Sequence, residues 1–378
     1  VASSGLGHIA RGIETWASDL GIALSKRGHD VRLYQGGGTP PAYGEVLANL
    51  PRESAANAAW AARFPRALGW RLGANAGYPL EQSTFAWSLF RALRRRPADI
   101  LHVQDPLVAL RLDQFRRRGW IDTRTILAHG TEEPGSFLER IRYLQHLSPT
   151  QLDRWRAEGI WRPTWTAIGN FVDTERFRPG DAARVRAELG IPDHAAMILT
   201  LAAIKRPHKR IDWLLAAMTA LRARHPETPF VLVVAGGREP DTDEIIREGT
   251  ALLGESVRFL VRHPRAEIPD LCRAADVFML ASLFEMMPIA LLEAAASGLP
   301  CVTHDEPTLR WMTGAGGVPT QMDNIDAVIA AVQPLLADPA HRGRTAALAR
   351  AHAVAEFGEE AIVQRYLEYY EQVMADRP

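Results

Sequence analysis

Residues 282–302 read SLFEMMPIALLEAAASGLPCV, and the placing of two glutamates in this stretch sets the reading of the whole chain. The apolar run just before it, 277–281, reads as a strand, which Glu285 closes. Pro288 fits a first helical position, where a missing N–H costs no hydrogen bond. Gly298 and Pro300 then stop the helix. One carboxylate therefore falls at the carboxyl end of a strand, in the crevice where open α/β sheets hold ligands. The second, Glu293, stands about one and a half turns into the following helix, whose N-terminus is a ready anion site. The spacing alone carries no weight, since Glu45/Glu53 and Glu360/Glu368 are also eight apart. The strand–loop–helix setting carries it.

Outward from this segment the chain alternates strands with helices, which predicts parallel sheets with helical crossovers. A first series has a helix over 12–27, strands near 31–34, 100–103, 125–128, 143–147 and 165–168, and helices over 83–95, 107–118 and 149–158. A second has strands near 197–201, 230–235, 257–260, 277–281 and 301–303, with helices over 210–224, 242–253 and 265–274. Helices at 324–337, 340–355 and 358–374 finish the chain. Only 36–80 is poorly patterned, with GGG, PP and two Trp–Arg clusters. At 378 residues and 47% hydrophobic, the chain has room for two domains of ordinary size. Cys272 and Cys301 fall in apolar patterns and read as reduced core residues, not as a disulfide framework or a metal site. No run of eighteen uncharged apolar residues is present, and the opening VASSGLGH reads as neither a secretory signal nor a complete first strand. The expectation is that the given sequence starts inside strand one.

Three further landmarks carry chemistry. Gly5-Leu6-Gly7-His8-Ile9-Ala10 fits the dinucleotide pattern, but the second strand ends Tyr34-Gln35-Gly36 without the carboxylate that would hold a ribose. That counts against NAD. Gly7 and Gly12 also span GxxxxG, yet Ile-Glu follows where a triphosphate loop needs Lys-Ser/Thr. Lysine usage is the second landmark: there are only three, Lys26, Lys205 and Lys209, among 44 basic residues. Two of them lie in AAIKRPHKRIDWLL, directly after a strand, and lysine suits a phosphate as a compact mobile charge. The third landmark is His129, at another strand's carboxyl end and just before Gly130.

Together these features resemble family 4 glycosyltransferases over nearly the whole chain. The resemblance implies an α/β fold of two facing Rossmann-like domains (GT-B architecture), with C-terminal helices crossing back toward the first. Residues 1–168 would be the acceptor-binding domain and 169–355 the nucleotide-sugar domain, with 356–378 packing on the first. It implies retaining transfer of a sugar from a nucleotide-diphosphate sugar to an acceptor hydroxyl, with no metal and no cofactor. By the same resemblance Glu285 reads the donor sugar, Glu293 anchors the ribose and His129 lies near the reacting centre. Lys209 faces the diphosphate with a second cation, either Lys205 or Arg206. Gly236-Gly237 matches the glycine turn near the diphosphate, Met287 and Pro288 lie on the donor side, and Gly7, Arg11 and Gly12 form the opening loop. The family's opening G-G-x-E and R-G-H-x-V correspond here to Gly12, Glu14, Arg27, Gly28, His29 and Val31. Arg11, Ile204 and Met286 depart from the pattern, where a glycine, an arginine and a glycine are usual. In the segment IGNFVDTERFRP, Asn170 and Asp173 read as turn and capping residues.

Charge is spread unevenly: residues 1–168 hold 22 Lys/Arg against 15 Asp/Glu, and the remainder 22 against 29. A basic first half allows an acidic or lipid-linked acceptor, or peripheral contact with an anionic membrane face from the cytoplasm. Trp60, Phe64, Leu68 and Trp70, interleaved with Arg63, Arg66 and Arg71, read as cover for the acceptor side or as a membrane surface, the first being favoured. Nucleic acid is not expected as a partner. The rival readings are a sugar-nucleotide epimerase of the same form and a catalytically silent relative.

Overall fold

The computed structural model describes residues 1–9, 12–63 and 75–376. Arg11 and, from the Trp–Arg stretch, Phe64, Arg66, Leu68, Trp70 and Arg71 lie outside the described residues. The chain forms two compact units, Val1–Asn170 joined by the chain from Ile362, and Phe171–Ala361.

The first unit is built on a parallel sheet of seven strands. They are β1 (Ala2–Ser3), β2 (Leu33–Gln35), β3 (Gly44–Val46), β4 (Ile100–Val103), β5 (Arg124–His129), β6 (Tyr143–His146) and β7 (Thr166–Ala167), in the order β3-β2-β1-β4-β5-β6-β7. Ala2 lies between Tyr34 and Val103 in the register, so the strand order reverses direction at β1 and β4. The second unit holds β8 (Ala196–Leu201), β9 (Phe230–Gly236), β10 (Val257–Val261), β11 (Val277–Leu280), β12 (Cys301–His304) and β13 (Gly317–Thr320), in the order β10-β9-β8-β11-β12-β13. All pairs are parallel, and the reversal falls between β8 and β11, where Ile198 faces Val277.

Both sheets read in sequence as near-continuous apolar runs because helices cover both faces. Each has its own core: Leu89, Val103, Leu112 and Leu127 in the first, Ile198, Leu214, Leu232 and Met279 in the second. Among the described residues no helix is long and apolar enough to cross a membrane.

Several elements differ from expectation. The 36–80 stretch contains β3 and helix Ala55–Ala61, capped by Ser54 Oγ on the Asn57 amide. β3 is a three-residue edge strand without an apolar run. Helix Tyr78–Arg95 starts five residues before position 83, with Pro79 in its first turn after Gly77 at φ 81°. β13 and helix Pro307–Thr313 had no distinct signal; β13 carries Pro319, which only an edge strand tolerates.

The last helix, Glu359–Ala375, packs on the first sheet. Tyr366 Oη accepts hydrogen bonds from Trp16 Nε1 (3.1 Å) and Gln145 Nε2 (3.2 Å), and Tyr369 Oη donates to Thr164 O at 2.7 Å. Tyr370 Oη lies 2.7 Å from His102 Nδ1.

Candidate functional site

In the second unit, the loops after β8 and β11 emerge side by side at the strand reversal, where open α/β sheets place ligands. Lys205 and Lys209 come from the first loop, Glu285 from the second. The backbone around Lys209 is tightly held. His208 and Arg210, on either side of it, adopt left-handed φ of 67° and 51°, a conformation that costs non-glycine residues about 1–3 kcal/mol when the surroundings do not enforce it. Here they do. Arg210 donates to Ala281 O (3.2 Å) and Met322 O (2.8 Å) and stacks on Trp213. His208 Nε2 lies 2.8 Å from Phe284 O; a carbonyl only accepts, so this nitrogen carries the proton. Lys209 Nζ is thereby delivered onto Oε1 of Glu285, a carboxylate only 6% exposed.

The neighbouring cations differ in how they are engaged. Arg206 is held by Glu248 at 2.6 Å, Asp212 at 3.4 Å and Glu244 at 3.6 Å, and its amide donates to Asp241. The hydrogen bond to Glu248 raises its already high pKa. Lys205 pairs with no carboxylate among the described residues and is half-buried.

The glycines have separate reasons. A Cβ on Gly236 would lie 1.7 Å from Ala202 O, so the packing of β9 on the end of β8 already requires glycine there. Gly237 has open space around it, and its carbonyl accepts from the Ile204 amide at 3.0 Å. Ile204, where an arginine is usual, is fully buried and packs in the core.

Pro288 is the N-cap of helix Ile289–Ala296 (φ −72°, ψ 114°), not its first helical residue, so the helix starts one position later than expected. Met287 is buried and no side chain caps this end. Glu293 is buried and bonded to Arg265, whose guanidinium also lies over Phe177. Nothing in sequence spacing pointed to Arg265, 28 positions away.

The first unit gathers a polar cluster at its own strand reversal. Asp105, after β4, accepts from the Ser4 amide (3.2 Å), the Ser4 hydroxyl and Tyr78 Oη (3.0 Å). Burial pushes its pKa up despite these donors. Glu81, fully buried, receives Arg52 NH2 at 2.7 Å, the Arg52 amide and His8 Nε2 at 3.2 Å, and lies 3.0 Å from Ser4 Oγ, whose single proton it shares with Asp105. Burial works against its charge, but the Arg52 bonds outweigh it and hold its pKa below the usual range. Arg52 also lies 4.0 Å over the Tyr78 ring and 3.7 Å from Glu14. None of Ser4, Arg52, Tyr78, Glu81 and Asp105 was singled out from sequence, because they come from four separate segments, Tyr78 and Glu81 alone sharing a helix.

The glycine loop is fitted to this cluster. A Cβ on Gly5 would meet Glu14 Oε1 at 2.2 Å, and one on Gly7, at φ 96°, would meet Gly37 O at 1.9 Å. Gly12, by contrast, opens helix Gly12–Lys26 with free space around it. His129 is the last residue of β5 and is buried. Its Nδ1 lies 3.4 Å from His146 Nδ1 and its Nε2 3.3 Å from Glu133. Burial first, and then His129, lowers the His146 pKa to about 3.

With this geometry in view, the comparisons agree. Residues 10–176 match the family described as Glycosyltransferase Family 4, and residues 195–338 match Glycosyl transferases group 1. The chain belongs to the family 4 glycosyltransferases. It is 33% identical over 208 residues to D-inositol 3-phosphate glycosyltransferase 1 of Catenulispora acidiphila, covering 53% of this chain and 49% of that one. It is 28% identical over 233 residues to a GDP-mannose-dependent monoacylated alpha-(1-6)-phosphatidylinositol monomannoside mannosyltransferase of Corynebacterium glutamicum, covering 59% and 60%. The chain thus spans about half the length of the curated relatives it matches. In fold it is similar to a sucrose-phosphate synthase of Thermosynechococcus elongatus (TM-score 0.78, 19% identity, 99% and 98% of the two chains). It is likewise similar to Anabaena HepE solved with UDP-glucose (TM-score 0.72, 16% identity, 98% of each). These likenesses show the GT-B fold.

Proposed function

We propose that the protein transfers a sugar, with retention and without a metal, from a nucleotide-diphosphate sugar to an acceptor hydroxyl. The observation that carries this reading is the Lys209–Glu285 pair, held at the strand reversal of the second sheet by an enforced backbone. In the proposed reaction the bond from the sugar's anomeric carbon to the diphosphate oxygen breaks, and its electron pair leaves with the phosphate. The acceptor oxygen bonds to that carbon on the same face, and its proton passes to the departing phosphate. Preformed positive charge aimed at a developing negative charge is usually the largest catalytic effect.

Lys209 and Lys205 supply that charge. Arg206 is committed to three carboxylates, so Lys205 is the second cation in this proposal. The uncapped N-terminus of helix Ile289–Ala296 adds its amides. Glu285 reads sugar hydroxyls while sharing Lys209. Glu293, oriented by Arg265, takes the ribose hydroxyls. In the first unit, His129 serves the reacting centre and the loop at Gly7 and Gly12 the acceptor side. The activities named for the relatives, on inositol phosphate and on a phosphatidylinositol mannoside, favour a phosphorylated or lipid-linked acceptor. Both cysteines are free and buried, which fits action in the reducing cytoplasm.

A thermal-shift screen of nucleoside diphosphates and their sugars, with NAD as a control, tests this. A ligand at a hundred times its Kd stabilises by about 2.7 kcal/mol. The expected result is a shift from one nucleotide sugar that Glu293→Ala abolishes, with turnover that survives chelator and gives a product of unchanged anomeric configuration. An altered free sugar formed without acceptor would establish the epimerase instead, and a shift with NAD alone would overturn the proposal.

A further inference from the structure

In the first unit, the chain just after β3 meets the N-terminal half of helix Tyr78–Arg95 and helix Pro106–Arg117 around an open cavity of about 450 Å³. Its walls include Ala48, Asn49, Thr84, Trp87, Ser88 and Arg111. Trp87 is 46% exposed, yet its ring is held by two others: Phe90 lies 5.4 Å away and Phe115 6.1 Å, ring centre to ring centre. Thr84 is already engaged, its hydroxyl donating to Leu80 O (2.9 Å) and accepting from the Leu50 amide (3.0 Å). Ser88 Oγ donates to Ala48 O at 2.6 Å and keeps its capacity to accept.

Asn49 is the most specific group in these walls. Its Nδ2 donates to Ser4 O at 2.9 Å, and a carbonyl only accepts, so the amide cannot be turned over. Gly36 makes room for it: a Cβ there would meet Ser4 O at 1.9 Å and Asn49 Nδ2 at 2.6 Å. An amide nitrogen carries two hydrogens, and Ser4 uses one. The other hydrogen and Oδ1 meet no partner among the described residues. This half-buried side chain thus offers a donor and an acceptor side by side, fixed in direction. Such a pair matches two neighbouring hydroxyls, each of which both donates and accepts. Among the described residues Arg111 is the only ionisable group in the lining, and burial lowers its pKa.

We propose that this cavity is a second carbohydrate subsite, in which Trp87 carries the C–H face of a pyranose ring while Asn49 and Ser88 read its hydroxyls. A pyranose has an apolar face and a polar rim, and tryptophan serves where one side of a contact is apolar and the other wet. Small-molecule sites combine aromatic walls with a few placed polar groups, in about 300–1,000 Å³. A phosphate or nucleotide is disfavoured, since the described lining offers one cation. The Asn49–Ser4 bond sets the cavity beside the opening glycine loop, because Ser4 directly precedes Gly5. The ring held here is therefore a remote sugar of the acceptor, away from the hydroxyl that reacts. That assignment to the acceptor rests on the proposed transfer; the subsite itself stands without it.

Saturation-transfer NMR of the full chain with methyl α-glucoside, methyl α-mannoside and methyl α-galactoside, in the absence of nucleotide, tests the subsite. Binding of at least one is expected. Trp87→Ala should weaken it roughly tenfold, as should Asn49→Ala, while Trp87→Phe should keep most of it. An unchanged unfolding midpoint of Trp87→Ala verifies that the fold is intact. No binding of any of the three, undiminished binding by Trp87→Ala, or displacement by inorganic phosphate each overturns the subsite. So does binding that Glu285→Gln abolishes and Trp87→Ala keeps, which would place the sugar in the second unit. In turnover assays Trp87→Ala should raise the acceptor KM and leave the donor KM unchanged. An unchanged acceptor KM would overturn the assignment to the acceptor. Sugar binding that needs Trp87, in a protein that turns over no nucleotide sugar, would sink the transfer proposal and leave the subsite standing.

Discussion

At the scale of residues, the site is defined by which charge is already committed. Arg206 and Lys205 are adjacent in sequence and equivalent in formal charge, yet three carboxylates hold one and none of the described residues pairs the other. On the proposed reaction, Lys209→Ala should lower kcat by about 10²–10³ and also lower the unfolding midpoint, because it strands the buried Glu285 carboxylate; Lys209→Ala with Glu285→Gln should recover the midpoint but not kcat. Lys205→Ala should approach that loss of kcat, while Arg206→Ala should mainly affect stability; steady-state kinetics beside thermal melts separates the three. A second prediction concerns the first unit. Arg52→Ala strands Glu81 as a buried charge, which typically costs about 3–5 kcal/mol. Arg52→Met with Glu81→Gln removes both charges and should recover most of that loss in urea unfolding. Glu285 and Glu293 were legible because a strand end and a helix frame them. Arg265, His208 and the Ser4–Arg52–Glu81–Asp105 cluster were not, since each joins segments far apart in the chain.

Elements show how one pair of glycines can have two explanations. Gly236→Ala drives a methyl group against Ala202 O, and the strand end must shift; a destabilisation of about 1–3 kcal/mol is expected from such overpacking. Gly237→Ala meets nothing and should unfold like the parent protein. Loss of donor binding in a stable Gly237→Ala, measured by calorimetry, would mean that the ligand's own approach requires this glycine. The long helices and buried strands were readable because their periodicities persist over several turns or residues. β3 and β13 were not: each is short and at a sheet edge, where burial imposes little pattern. The helix ahead of Glu293 was placed one residue early because proline suits both the N-cap and the first turn.

At the scale of the whole molecule, two histidines tie the first unit's stability to pH. Burial lowers both His102 and His146 to about 3, from an ordinary value near 6.5. Above that ordinary value both are neutral folded and unfolded, and neither affects stability. As pH falls from there toward 3, the unfolded chain takes up protons that the folded one refuses, so stability falls. Each group contributes about 1.4 kcal/mol per pH unit across that window. Urea unfolding of the intact protein between pH 7.5 and 4.5 should show the loss, and His146→Gln should flatten it. His102 is held at Tyr370, and Trp16 and Gln145 at Tyr366. Tyr366→Phe should therefore cost about 1–3 kcal/mol, by leaving Trp16 Nε1 and Gln145 Nε2 short of an acceptor.

The sequence by itself determined the alternation of strands and helices, two series of them, and the family to which they belong. Those are local properties: runs of apolar residues, stops at glycine and proline, and side chains a few positions apart. The tertiary structure decided which cation is uncommitted, which carboxylates are neutralised, and which side chains line one cavity. These depend on the register of parallel strands, which sets residues a hundred positions apart within hydrogen-bond reach. Such proximity leaves no periodic trace along the chain.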